Sequence, residues 1–354
     1  MITERHDFTP DLPGQFIRDI TDKTLFFDIE TTGFSPKTSH LYMIGCSYMD
    51  ASGFHTIQWF DDHKTPDGEK EMLLSFAEFA KNYTRCISFN GSTFDFPFIQ
   101  KKCAGHHLSD PLCHLEHIDI YKKLKPYKDF LDLPDLKQKS VEAFLGINRQ
   151  DQYSGGQLIA VYDAYIRTKS ESLYNQLMQH NYDDICGMIL LMPVMAYIRL
   201  FEGAFTFHSY SIAGSCLTLT FTLTNFILIP VTCEHSILKI HASAYTLTMT
   251  ICGITGTLKY FYANPKDYYY LPAEDMAVHK SVAAFVDKDF RQKATKENCY
   301  IKKDGFFLPQ PKPLFTPEYR TKAAQTPSYF AWDAIKNQPD SICRYAHLLL
   351  NSEF

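Results

Sequence analysis

The sequence predicts an α/β protein: a mixed five-stranded sheet with flanking helices, followed by a smaller β-rich C-terminal region. Three observations carry this. Short apolar runs form an early meander. Helical and strand periods then alternate. Near residue 200 the texture changes to threonine-rich alternation. The 354 residues, 45% hydrophobic and 21% charged, suffice for two domains with sizeable cores.

Residues 1–22 read as a loosely structured lead-in. TLFFDIE (24–30) is an apolar run ending in acid, the mark of a buried strand. LYMIGCSYMD (41–50) and FHTIQWF (54–60) are two more strands joined by the turn ASG. GEKEMLLSFAEFAKN (68–82) spaces Met72, Leu73, Phe76, Phe79 and Ala80 for one helical face. TRCISFNG (84–91) is a strand ending at Gly91. In the helix at 94–103, Pro97 falls in the first turn, where its missing N–H is tolerated. HLEHIDI (114–120) is the fifth strand, and helices are expected at 135–146, 157–168 and 171–200. The boundaries expected are a lead-in at 1–22, a first domain at 23–202 and a β-rich domain at 203–354. In the latter, 217–229 and 236–263 read as antiparallel strands, and the last ninety residues as short helices around the proline-rich stretch 308–319.

Net charge is −5, unlike a protein that grips nucleic acid by bulk charge alone. Residues 1–200 carry 20 Lys and Arg against 27 Asp and Glu, a net of −7, whereas 270–354 carry 12 against 10, a net of +2. The first part is the better candidate for cations, the tail for phosphates. Ten cysteines without a C-x-x-C pair, and no signal-peptide pattern, point to a reducing cytoplasm. The longest apolar helical stretch, 185–198, is interrupted by Pro193 and too short to cross a membrane.

The chemistry concentrates in acids. Asp28 and Glu30 sit two apart at the end of the first strand, so both project to one face. That placement is unfavourable unless a cation lies between them. Asp95 follows the turn Asn90-Gly91 at the start of a helix. Asp184 lies on the long helix with His180 one turn earlier on the same face; Asp183 competes for this place but points aside. Four carboxylates suit hard cations, Mg²⁺ or Mn²⁺, rather than zinc. A pair of such ions clamps the attacking and leaving oxygens of a phosphoryl displacement, and a histidine beside them can take the proton of water. Each feature alone has a plainer reading, Asp95 as a helix cap and His180 as a buried structural histidine.

FDIETTGF (27–34), ISFNGSTFDFPFI (87–99), HLEHIDIYKKLK (114–125), VEAFLGINRQDQYSGGQLIAVY (141–162) and HNYDDICGM (180–188) resemble the DEDD family of 3′→5′ exonucleases. Within that superfamily they are most similar to the YprB-like ribonuclease H-like proteins of bacteria. The resemblance covers about 24–200 and implies the ribonuclease H-like fold. It places Asp28, Glu30, Asp95 and Asp184 at the metal-ligand positions and His180 at the water-activating one. His180 stands four residues before Asp184, where tyrosine-type members carry Tyr and many histidine-type members place His five before. The resemblance also implies exonuclease activity on nucleic acid, DNA favoured over RNA, with repair beside a helicase as a setting.

Thr31, Gly33 and Asn90 are expected to shape a terminal-nucleotide pocket. Arg149 and Asp151 suit either a substrate groove or a salt-bridged loop. Cys103, His106, His107, Cys113, His114 and His117 cluster without the spacing of a zinc finger. The aromatic and lysine-rich 259–272, and Lys288, Arg291, Lys293 and Lys296, suit either packing and solvation or contact with bases and phosphates. The expected function is a metal-dependent 3′→5′ exonuclease. The rivals are a nucleic-acid-binding scaffold without catalysis and an endonuclease using the same acids.

Overall fold

The computed structural model describes residues 1–149, 153, 155–235 and 237–353, in two compact units, Met1–Ile198 and Arg199–Phe354. The first holds strands β1 (Ile2–Phe8), β2 (Thr24–Thr31), β3 (Leu41–Asp50), β4 (Gly53–Phe60), β5 (Arg85–Ser88) and β6 (Glu116–Asp119). Its helices are α1 (Pro66–Ala80), α2 (Asp95–Gly105), α3 (Ile120–Leu124), α4 (Gln138–Phe144), α5 (Gly155–Thr168) and α6 (Glu171–Leu190). The sheet order is β1-β4-β3-β2-β5-β6, with β1 to β4 antiparallel and β2, β5 and β6 parallel.

The sheet has six strands where five were expected. The extra one comes from the presumed lead-in: Ile2–Phe8 pairs with Phe54–Phe60 of β4. Its ITERHDF carries charges because it is an exposed edge, the usual protection of such an edge against further pairing. Pro193 has the second unexpected effect. The helix expected over 171–200 is two, α6 and α7 (Val194–Phe201), bent by 43°. No single helix among the described residues is long and apolar enough to cross a membrane.

Strand alternation divides β2 between two faces. Leu25, Phe27 and Ile29 pack on α1 through Met72, Leu73 and Phe76 and on α2 through Phe98 and Ile99. The other face of the sheet presents Tyr42, Met43 and Phe60 to Leu158, Tyr162, Leu177 and Met178 of α5 and α6. Asp28 and Glu30 fall on this second face, under α6. Helix α1 starts where Thr65 accepts a hydrogen bond from the Gly68 amide and Pro66 fills the first turn.

The second unit is β-rich. Strands β7 (Phe205–Ala213), β8 (Cys216–His235) and β9 (Leu238–Cys252) form one antiparallel sheet. β10 (Ile254–Phe261) is followed by a small sheet of β11 (Tyr268–Leu271), β12 (Met276–His279) and β13 (Gln292–Lys293), with the short α8 (Lys280–Ala283). β14 (Tyr300–Gln310), β15 (Tyr319–Arg320) and β16 (Ser328–Ala331) close with β10 into a barrel, and α9 (Pro339–Glu353) ends the chain. The tail is thus more strand than the expected mix of short helices: most of its strands are short, and the longest, β14, does not alternate in burial.

Candidate functional site

A row of residues crosses the second face of the sheet. In it, Asp28 of β2 stands opposite Gly45 of β3, which stands opposite Gln58 of β4. Asn181 of α6 lies over the middle of that row. Its Nδ2 donates to Asp28 Oδ2 at 3.0 Å, and its Oδ1 accepts from Gln58 Nε2 at 2.9 Å. Gln58 also donates to the Met178 carbonyl at 3.0 Å. Gly45 makes this possible: a Cβ there would sit 1.9 Å from Asn181 Oδ1. The amide fixes Asp28 from behind by a bond to its charged form.

Glu30 lies two residues on, buried, with the Tyr42 hydroxyl donating to it at 3.5 Å. His180 Nε2 stands 3.4 Å from Glu30 Oε1 and 3.2 Å from Asp184 Oδ2, as expected of residues one turn apart on α6. One ligand atom from each of Glu30, His180 and Asp184 lies within 4.8 Å of the others. Asp183 turns away and accepts from Gln179 at 2.7 Å. Asp95 joins the group from the first residue of α2, buried, with the Ile29 amide bonded to its carboxylate.

The electrostatics report this convergence. Burial pushes the Asp28 carboxyl well up, and the charges of Asp184, Asp95 and Glu30 add to it, against the Asn181 bond. Burial raises Glu30 to about 7, with His180 opposing and Asp184 and Asp95 reinforcing. Burial likewise raises Asp95 to about 7, with Asp119 and Asp184 adding to it against its backbone hydrogen bonds. Acids so placed are short of a counter-cation.

Part of that need is met by Arg149. Its guanidinium bonds Asp184 Oδ1 and both oxygens of Glu142, the Nη2–Glu142 bond at 2.9 Å, while its buried Nη1 has no hydrogen-bond partner among the described residues. The structure shows Arg149 in a salt bridge, one of the two expected readings; Asp151 lies outside the described residues. Gly187 of α6 leaves room for Glu142, since a Cβ there would sit 2.3 Å from Glu142 Oε1.

The remaining expected residues are near the acids but partly occupied. Thr31 Oγ1 donates to the Gly33 carbonyl at 2.9 Å, and a Cβ on Gly33 would meet Ser39 Oγ at 2.7 Å. Asn90, at φ +65°, accepts from Thr93 through Oδ1 at 2.6 Å, and its amide donates to Asp119 at 3.0 Å. Asp119 also accepts from the Ser92 amide and hydroxyl, so the end of β6 holds the turn before Asp95. Asn90 opens onto a cleft of about 580 Å³ lined with Phe89, Tyr121, Lys128, Lys137 and Gln138. Gln138 Nε2 donates to the Asp184 carbonyl at 2.9 Å, linking cleft and acids.

The cysteine and histidine cluster is not gathered. His106 bonds Glu69 at 2.7 Å, His117 bonds Ser88 at 2.7 Å and His114 bonds the Ala80 carbonyl at 3.3 Å. Sequence reasoning missed Asn181, Gln58, Glu142 and Phe34. Asn181 had a signal: it stands three before Asp184, on the face that His180 also shares. Phe34, 90% exposed and edge-on to Phe94 at 6.1 Å, had one in being a large apolar residue in a polar turn.

A mixed sheet with acids gathered at the ends of its parallel strands defines a ribonuclease H-like α/β unit. Residues 25–196 match the family model of the RNase H superfamily. No curated protein matches the chain. Among solved structures it is similar to the family B DNA polymerase of the hyperthermophilic archaeon Pyrobaculum calidifontis, with 13% identity and a TM-score of 0.40 over 51% of this chain and 25% of that one. It is also similar to E. coli Exonuclease I in complex with a dT13 oligonucleotide, with 12% identity and a TM-score of 0.29 over 56% and 54%. The chain thus spans a quarter and about half of these two proteins.

Proposed function

We propose that the protein is a metal-dependent nuclease that hydrolyses phosphodiester bonds, acting as a 3′→5′ exonuclease on DNA. The observation that carries this is the convergence of Asp28, Glu30, Asp95 and Asp184 from three separate segments, with Glu30 and Asp184 meeting His180, and with Asp28, Glu30 and Asp95 raised by burial first and by neighbouring acids second. The oxygen-rich donor set fits Mg²⁺ or Mn²⁺ at these four carboxylates. A pair of such ions would neutralise the acids and clamp the attacking and leaving oxygens of the phosphate.

The protein's own residues divide the remaining work. Asn181 and Gln58 hold Asp28 in one orientation. His180 presents Nε2 to the acids, so that atom exchanges a proton with water held there. Arg149 steadies Asp184 by an ion pair. Phe34 offers a face for a terminal base, and the cleft beside Asn90 a place for the strand. The direction of cleavage, the DNA preference and a repair setting with a helicase rest on the resemblance to YprB-like DEDD exonucleases, and the cytoplasmic setting rests on the cysteine usage.

The test is a time course on 5′-labelled single-stranded and 3′-recessed DNA and matching RNA, in Mn²⁺ or EDTA, with Asp28→Ala as control. A Mn²⁺-dependent ladder shortening from the 3′ end, absent in the variant, is the expected result. Cleavage of circular DNA would make the enzyme an endonuclease, and binding without hydrolysis would make it a scaffold.

A further inference from the structure

The segment Lys280–Lys296 in the second unit combines exposed cations with exposed apolar side chains. It carries Lys280, Lys288, Arg291, Lys293 and Lys296 against Asp287 and Asp289, a net of +3 in a chain of net −5. Within nine residues of it, three large apolar side chains stand in water: Val282 is 59% exposed, Phe285 93% and Phe290 64%. Scattered exposed apolar residues are ordinary, but two nearly bare phenyl rings among cations are not.

The rings stand on built turns. Phe285 follows α8, its amide bonded to the Val282 carbonyl, and the Phe290 amide bonds the Asp287 carbonyl. Arg291 reaches back to the Ala283 carbonyl and closes the loop that carries both rings. Its guanidinium lies over the ring of Tyr269 at 4.9 Å, and Lys280 lies over the same ring at 6.0 Å. Tyr269 itself is held in β11 between Val278 of β12 and Lys293 of β13. Loop, short helix and three-stranded sheet therefore form one module with cations and rings on its surface.

We propose that this module is a binding surface for single-stranded nucleic acid, with Phe285 and Phe290 stacking on unpaired bases and Lys288, Arg291 and Lys293 facing the phosphates. The substrate class rests on the nuclease reading above. The first 200 residues carry a net of −7, and this module adds a group of exposed cations to the hold on a strand. Stacking on aromatic faces beside cations is how sequence-tolerant single-strand binding is built. Charge complementarity alone would also suit an anionic lipid surface. Asp287 and Asp289, set between the two rings, oppose that reading because insertion would bring both acids against anionic headgroups.

The test measures binding without hydrolysis, so it stands whether or not the nuclease reading does. Fluorescence anisotropy of a labelled oligothymidylate is titrated with the full chain in EDTA. Wild type is compared with Phe285→Ala/Phe290→Ala and with Lys288→Gln/Lys293→Gln, and circular dichroism confirms that each variant folds. The ring variant is expected to bind at least about tenfold more weakly. The lysine variant is expected to lose about 1.4 from the slope of log affinity against log salt, roughly 0.7 for each phosphate contact. Unchanged affinity in the ring variant, no binding by wild type, or binding only to phosphatidylserine vesicles would overturn the proposal.

Discussion

The carboxylate cluster of the first unit and the basic aromatic module of the second handle charge in opposite ways. Glu30, Asp95 and His180 are buried, and each is aimed by a neighbour; Lys288, Lys293 and Phe285 stand in solvent. Burial makes the first arrangement strong, because like charges in a poorly solvated site repel until a cation arrives. It also makes it exacting, since each acid needs its own supporting contact. Exposure makes the second tolerant: screened charges and free rings accept many strands and lose little when one residue changes.

That contrast can be broken first at its strongest point. Asp28→Ala is expected to lower Mn²⁺-dependent hydrolysis by about a thousandfold or more, since the proposed metal site supplies several kcal/mol to such displacements. Its melting temperature in EDTA should match or exceed wild type, because a repelling charge has gone. Full activity in this variant would remove the cluster from the chemistry.

The next effect is on stability against pH. Glu30 and Asp95 titrate near 7 in the folded protein, above their ordinary values of 4.5 and 3.8. The folded state therefore holds protons that the unfolded chain has already released. Stability is full below the ordinary values and is lost as pH rises through about 7. For Glu30 alone this amounts to roughly 3 kcal/mol. Melting in EDTA from pH 5 to 8 should show a fall for wild type and a shallower one for Glu30→Gln. Parallel curves would mean that the repulsion is already compensated.

Gly45→Ala tests the support rather than the acid. The new methyl must expel the Asn181 amide, breaking its bonds to Asp28 and Gln58, at about 2 to 3 kcal/mol in urea unfolding. The smallest change is expected in the second unit. Thr218 and Thr250 meet across β8 and β9 with hydroxyls 3.1 Å apart, and Thr218→Val should shift stability by less than about 1 kcal/mol. A larger loss there would show that the β-rich unit is as finely adjusted as the cluster.

Much of the first unit was legible because its strands are apolar and its helices keep one face. β3 was read over its full span at 41–50, and TLFFDIE falls one residue short of β2. Edge strand β1 was not, since a hydrophobic run is what marks a strand and an edge has none. The four acids and His180 were legible as local pairs and turns. Gln58's bond to Asn181 and Arg149's hold on Asp184 were not, because they join residues 123 and 35 apart.

The sequence by itself determined the alternation that sends Asp28 and Glu30 to one face, the helical spacing of His180 and Asp184, and the change to threonine-rich strands near residue 200. These are consequences of fixed backbone periods, two for strands and 3.6 for helices. Only the tertiary structure decided that Gly45 clears space for Asn181, that Arg149 meets Asp184, and that Phe285 and Phe290 stay bare. Each depends on which surfaces come into contact, and local periodicity holds no record of distant contacts.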